Sequence, residues 1–208
     1  SERLSEKIEE LLKETDKLIS SSEDGKFLKE GIKTVILGKP NAGKSSFLNV
    51  LSGEEKAIVT DIAGTTRDVL EEQIRLDGIA LNVIDTAGIR ETEDTVEKIG
   101  VEKARKYAEE ADLLLYMVDS SVPFDENDEE IRTILKDRKA ILLMNKSDLS
   151  QAITEEDIRN FLKDIEIPIV KISAKEASGI EEFKKLIKDM FFEGKISFEN
   201  EIYITNLR

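Results

Sequence analysis

The stretch Gly38-Lys39-Pro40-Asn41-Ala42-Gly43-Lys44-Ser45 narrows the folds open to this chain more than any other. It lies between the apolar run Thr34-Val35-Ile36-Leu37 and the helix-like Ser46-Phe47-Leu48-Asn49-Val50-Leu51, so strand, loop and helix follow one another. The spacing G-x-x-x-x-G-K-S lets backbone N–H groups converge on a chain of phosphates. Gly38 and Gly43 permit turns and a close approach that a Cβ would block, Lys44 offers a cation for β- and γ-phosphates, and the Ser45 hydroxyl can reach Mg2+. The N-terminus of the following helix adds its positive dipole.

Composition sets the limits around that loop. A chain of 208 residues with 39% hydrophobic content suits one α/β domain with short extensions. Its net charge of −14 makes the surface repel phosphate backbones, which argues against tight gripping of nucleic acid by this chain alone. There is no cysteine, so disulfides and thiolate metal sites are excluded. There is no histidine either, and acid–base chemistry has to come from carboxylates, substrate oxygens, metals or backbone dipoles. The apolar run Leu113 to Val118 is too short to cross a bilayer, and the Glu/Lys/Leu-rich amino end has no signal-peptide core. The expectation is a cytoplasmic protein with no membrane partner. A start at Ser1 also reads as a processed chain or a piece of a longer one.

Along the chain, Leu4, Ile8, Leu11, Leu12 and Ile19 recur at helical spacing and predict an amphipathic helix, followed by a linker to residue 30. The first strand is expected at Ile32 to Leu37, and the Gly- and Thr-rich stretch Ser52 to Thr66 reads as a loop. Asp77-Gly78 joins Val69–Leu76 to Ile79–Ile84 as a hairpin. Further helices are expected at 96–110, 127–136, 155–163 and 180–191, and strands at 113–118, 140–144 and 167–172. This alternation predicts an α/β fold, a six-stranded mostly parallel sheet with one antiparallel strand and helices on both faces. Ligands belong at the carboxyl ends of its strands. The α/β unit is expected to span residues 31–193. Residues 1–30 and 194–208 read either as the cut ends of a flanking helical domain or as extensions packed on the α/β unit.

Three further motifs fall at strand ends. Asp85-Thr86-Ala87-Gly88 places a carboxylate that can hold Mg2+ through water and a glycine N–H that can meet a γ-phosphate oxygen. Asn145-Lys146-Ser147-Asp148 puts a carboxylate where a base edge could sit, and Ser173-Ala174-Lys175 supplies a backbone N–H and an aliphatic stem. Guanine offers N1–H and N2–H₂ to a carboxylate, whereas adenine presents an acceptor at N1, so Asp148 would select guanine.

Taken in order, the four motifs resemble the GTPase superfamily, and the fold implied is its P-loop G domain. Within it, three stretches resemble the MnmE (TrmE) family of tRNA-modification GTPases. They are Gly38 to Ser46, Thr60-Asp61-Ile62-Ala63-Gly64-Thr65-Thr66-Arg67-Asp68, and Asp85 to Thr92 continuing to Val96-Glu97-Lys98-Ile99-Gly100. The tail Tyr203-Ile204-Thr205-Asn206 resembles the place where that family's helical domain resumes. Der-type ribosome-assembly GTPases share the first two stretches, so the third and the tail decide.

The resemblance implies a GTP/GDP site. It would be lined by Asn41, Ala42, Gly43, Lys44, Ser45 and Ser46, by Thr60 to Thr66, and by Asp85, Thr86, Ala87 and Gly88. Asn145, Lys146 and Asp148, and Ser173, Ala174 and Lys175, would complete it. Mg2+ would take Ser45 and Thr66 directly and Asp85 through water. Position 89 is isoleucine, which closes the route in which a glutamine there orients water. Arg67 and Arg90 lie in the two switch loops and read as finger candidates or as loop and interface salt bridges. The family instead implies K+, held by the phosphates, Asn41 and carbonyls of Thr60, Ile62 and Thr65. Catalytic roles are implied for Lys44, Gly88 and Glu97, the last approaching when two G domains pair as a homodimer. By residue type alone, Glu97 reads as a solvated carboxylate at a helix start, and only the resemblance gives it the catalytic role. A flavoprotein partner and tRNA would engage parts of the family protein outside this chain. A second reading is a ribosome-assembly GTPase acting as a slow nucleotide switch.

Overall fold

The computed structural model describes residues 7, 8, 11, 25–54, 71–85 and 104–192. Its strands are β1 (Ile32–Leu37), β2 (Glu71–Leu76), β3 (Ile79–Asp85), β4 (Leu113–Asp119), β5 (Ala140–Asn145) and β6 (Ile169–Lys171). The helices among the described residues include α1 (Lys44–Glu54), α2 (Glu126–Leu135), α3 (Glu155–Leu162) and α4 (Ile180–Phe192). Residues 25–30 and 104–110 are also helical.

The six strands form one sheet in the order β2-β3-β1-β4-β5-β6. All neighbours run parallel except β2, which pairs antiparallel with β3. Asp77 and Gly78 both take positive φ, 49° and 86°, as a two-residue hairpin with matching twist requires. The parallel crossovers cover both faces of the sheet, so the central strands are buried on both sides and read as continuous apolar runs.

β4 shows the division. Leu113, Leu115 and Met117 face a core shared with Phe47 and Leu51 of α1 and Phe183 and Ile187 of α4. Leu114, Tyr116 and Val118 face the opposite core, with Ile134 and Leu135 of α2 and Phe161 and Leu162 of α3. Phe27 packs edge-on against Phe191 of α4 at 5.0 Å between ring centroids, so the helical turn 25–30 rests on the α/β unit. Most of the expected amino-terminal helix, residues 69, 70 and 96–103, and the tail 194–208 lie outside the described residues.

Among the described residues, boundaries differ from expectation by more than one residue at two places. α1 begins at Lys44, because Phe47 N donates to Gly43 O at 2.9 Å and closes the first turn inside the loop motif. β6 is three residues rather than six: Pro168 has no N–H to donate, which suits the edge of a sheet and not its interior.

Candidate functional site

The loop after β1 is shaped by contacts that exclude side chains. Gly38 has φ +150°, and a Cβ there would lie 2.5 Å from the Met117 carbonyl oxygen. Gly43 has φ +102°, and its Cβ would lie 2.1 Å from Asn145 Nδ2. Asn41, also at positive φ (63°), carries an exposed side chain. The turn is closed by Ala42 N donating to Lys39 O at 3.2 Å.

Lys44 is 4% exposed, and its ammonium donates to the carbonyls of Gly38 (2.6 Å) and Lys39 (2.9 Å). Burial pulls its pKa below the ordinary lysine value, against the raising influence of the Asp85 carboxylate. Two loop carbonyls therefore hold the cation ready at the cradle. Ser45 and Ser46 are exposed at the first turn of α1. That turn carries no acidic side chain, while α2, α3 and α4 each have at least two, so the positive end of α1 keeps its capacity for an anion. Asp85 ends β3, the neighbour of β1, and the Ser45 hydroxyl and Asp85 carboxylate are hard oxygen donors of the kind that suits Mg2+.

Asn145 ties this loop to the two motifs beyond it. It is 1% exposed; its Nδ2 donates to Ala42 O at 2.7 Å and its Oδ1 accepts from Ala174 N at 3.0 Å. Both ends of the amide are thus engaged by protein, and the phosphate loop and the Ser173-Ala174-Lys175 segment share one support. Next to it Lys146 takes φ 62° and pairs with Asp119 at the end of β4. Burial pushes the Asp119 carboxyl up, but hydrogen bonds from Lys146 and from Ser121 outweigh it and hold the pKa below the usual range.

Asp148 is exposed and accepts a hydrogen bond from Ser173 Oγ at 2.6 Å. That bond, the largest influence on it, keeps the carboxyl below its usual pKa. Ser173 Oγ also accepts from Glu176 N, and Ser173 pairs with Ser178 through both backbone amides, so the loop carrying Ala174 and exposed Lys175 is a tight turn. An ionised carboxylate with one oxygen oriented by a hydroxyl can recognise a ring edge that donates twice.

The structure thus brings Asn41 to Ser46, Asp85, Asn145, Lys146, Asp148 and Ser173 to Lys175 to the carboxyl edge of one sheet. Thr60, Asp61, Ile62, Ala63, Gly64, Thr65, Thr66, Arg67, Thr86, Ala87, Gly88, Arg90 and Glu97 lie outside the described residues. Sequence reasoning passed over Asp119 and Met117. The signal for Asp119 was available: like Asp85, it is an acid that closes an apolar strand at the ligand-facing edge.

Fold and site define a P-loop GTPase G domain. A family model described as "50S ribosome-binding GTPase" matches residues 33–146, and the chain belongs to that family. It is 57% identical over 208 residues to a protein of Lachnoclostridium phytofermentans named tRNA modification GTPase MnmE, covering 100% of this chain and 45% of that protein. A protein of the same name from Clostridioides difficile is 50% identical over 205 residues, covering 99% and 44%. The chain therefore spans under half the length of these curated relatives. Among solved structures, Aquifex aeolicus Era Y63A bound to GDP.AlF4- superposes with a TM-score of 0.57 at 30% identity, covering 81% of this chain and 60% of that one. The G domain of the T. maritima FeoB iron transporter gives 0.55 at 28%, covering 76% and 97%. The resemblance to MnmE extends over the whole chain, and the activity of the domain is GTP hydrolysis. Among the described residues no helix is long and apolar enough to cross a membrane.

Proposed function

We propose that this chain is the GTPase domain of a cytoplasmic protein that modifies the wobble uridine of tRNA, and that it hydrolyses GTP when two such domains pair face to face. The observation that carries this reading is the identity to proteins named tRNA modification GTPase MnmE, 57% over 208 residues for one and 50% over 205 for another. In this reading residues 31–193 are the catalytic unit, and residues 1–30 and 194–208 are the ends of a flanking helical domain. tRNA and a flavoprotein partner engage other parts of the protein.

Within the site, Lys44 and the backbone of Asn41 to Ser46 hold the phosphates, Asp148 reads guanine, and Ala174 N and Lys175 flank the base. Ser45 and Thr66, and Asp85 through water, would hold Mg2+, which when bound would supply positive charge at the β- and γ-phosphates. Asn41 offers a side-chain oxygen at the rim of the loop, and with carbonyls of Thr60, Ile62 and Thr65 it would make up a donor set suited to K+. When bound, K+ would supply positive charge to the phosphates during hydrolysis, the role that an arginine finger performs elsewhere. Gly88 N–H meets the γ-phosphate, and Glu97 orients water once the domains pair. Replacing Asn41 with alanine is expected to remove most of the stimulation of hydrolysis by KCl over NaCl while GDP still binds. Full stimulation in that variant would count against the cation site.

The family description, 50S ribosome binding, favours a second reading as a slow switch in ribosome assembly. It differs in requiring GTP-dependent co-sedimentation with ribosomal particles.

A further inference from the structure

We propose that Lys39, Asp128 and Tyr116 form a latch that positions the amino-terminal half of the phosphate loop and thereby sets its affinity for nucleotide. Lys39 follows Gly38 directly, yet its side chain turns away from the cradle. Its Nζ lies 2.6 Å from Asp128 Oδ2 and 2.9 Å from Asp125 Oδ2, at the start of α2. Asp128 is 2% exposed and its carboxylate is engaged at both oxygens: Oδ1 accepts from Tyr116 Oη at 2.7 Å, and Oδ2 accepts from Lys39 and from Asp125 N at 2.8 Å. Tyr116 is fully buried on β4, in register with Leu37, the last residue of β1 before the loop. The second residue of the loop is thus anchored through a buried polar chain to the centre of the sheet.

The other end of the loop has its own anchor in Asn145, which holds Ala42 O. Between the two anchors stand the groups that meet phosphate. The Lys39 carbonyl receives both Lys44 Nζ and Ala42 N, so wherever the Lys39 side chain is fixed, the acceptor that holds the catalytic ammonium is fixed as well. A loop held in its binding-competent shape before nucleotide arrives loses less affinity to ordering. Asp128 carries this effect more than Asp125, whose side chain is half exposed and screened. Lys39 is a positioning residue, because its charge is consumed by carboxylates and not by the substrate.

The proposal rests on the loop being the nucleotide site, and not on potassium or pairing of domains. The test is the Kd for a fluorescent GDP analogue, with melting temperature measured alongside, for Lys39→Met, Asp128→Asn, the double variant and Lys39→Arg. Each single loss is expected to raise Kd by about tenfold, and the double variant to show about the same rise instead of about a hundredfold, since both changes open one latch. Lys39→Arg, which can reach both carboxylates, is expected to stay within about threefold of the parent. If Asp128→Asn does not fold, Lys39→Met against Lys39→Arg decides alone. A lowered melting temperature with the parent Kd would make the network merely structural and overturn the latch, as would additive effects in the double variant. Failure of the parent chain to bind GDP would overturn the nucleotide site itself, and the latch with it.

Discussion

Lys44→Met is expected to leave a folded domain whose GTP hydrolysis falls by about 10³-fold or more, the scale at which single charge-stabilising groups act in such sites. The ammonium is buried against the carbonyls of Gly38 and Lys39, a position from which a short movement carries it onto phosphate oxygens. Methionine keeps most of the stem and fills the same space without the charge. The two loop carbonyls lose a donor, at about 1–3 kcal/mol of stability, which a domain of this size tolerates. The loss in hydrolysis comes from charge that nothing else among the described loop residues replaces, because Lys39 is held by Asp125 and Asp128. A melting curve with single-turnover hydrolysis separates the two effects. Hydrolysis within a few-fold of the parent would show that the phosphates bind elsewhere.

Asp148→Asn is expected to weaken GTP by about 10³-fold or more while gaining affinity for xanthosine triphosphate, because a site built around hydrogen bonds rejects a ring that leaves them unmade. The hydrogen bond from Ser173 Oγ holds the parent carboxyl below its usual pKa and fixes one oxygen. Guanine N1–H and N2–H₂ find acceptors there. The asparagine amide turns one acceptor into a donor, opposing guanine and complementing xanthine, which carries a carbonyl at C2. Competition binding with GTP, ATP and xanthosine triphosphate reads this directly. Unchanged GTP preference would mean that the base is recognised by other groups.

Much of this was legible before any coordinates. Apolar runs bounded by turn residues located the strands, Asp77-Gly78 marked the hairpin, and the order of four short motifs placed the site at one edge of the sheet. What local pattern could not show is pairing over long separations. Lys39 meets Asp128 across 89 positions, and Asn145 meets Ala42 across 103. Tyr116 looked like one more apolar residue of a buried strand, yet its hydroxyl is what anchors Asp128. Asn145 read as part of a base-contacting motif, and its amide is engaged at both ends by backbone. The α1 start shifted for a local reason, since its first turn is closed by the backbone of the loop, Phe47 N donating to Gly43 O.

The measurement that bears most directly on the account is the GTP hydrolysis rate of the unmodified chain in KCl against NaCl at matched ionic strength, over a range of protein concentrations. A rate that requires potassium and rises more steeply than linearly with protein is expected. A slow rate, linear in protein and indifferent to the cation, would contradict it.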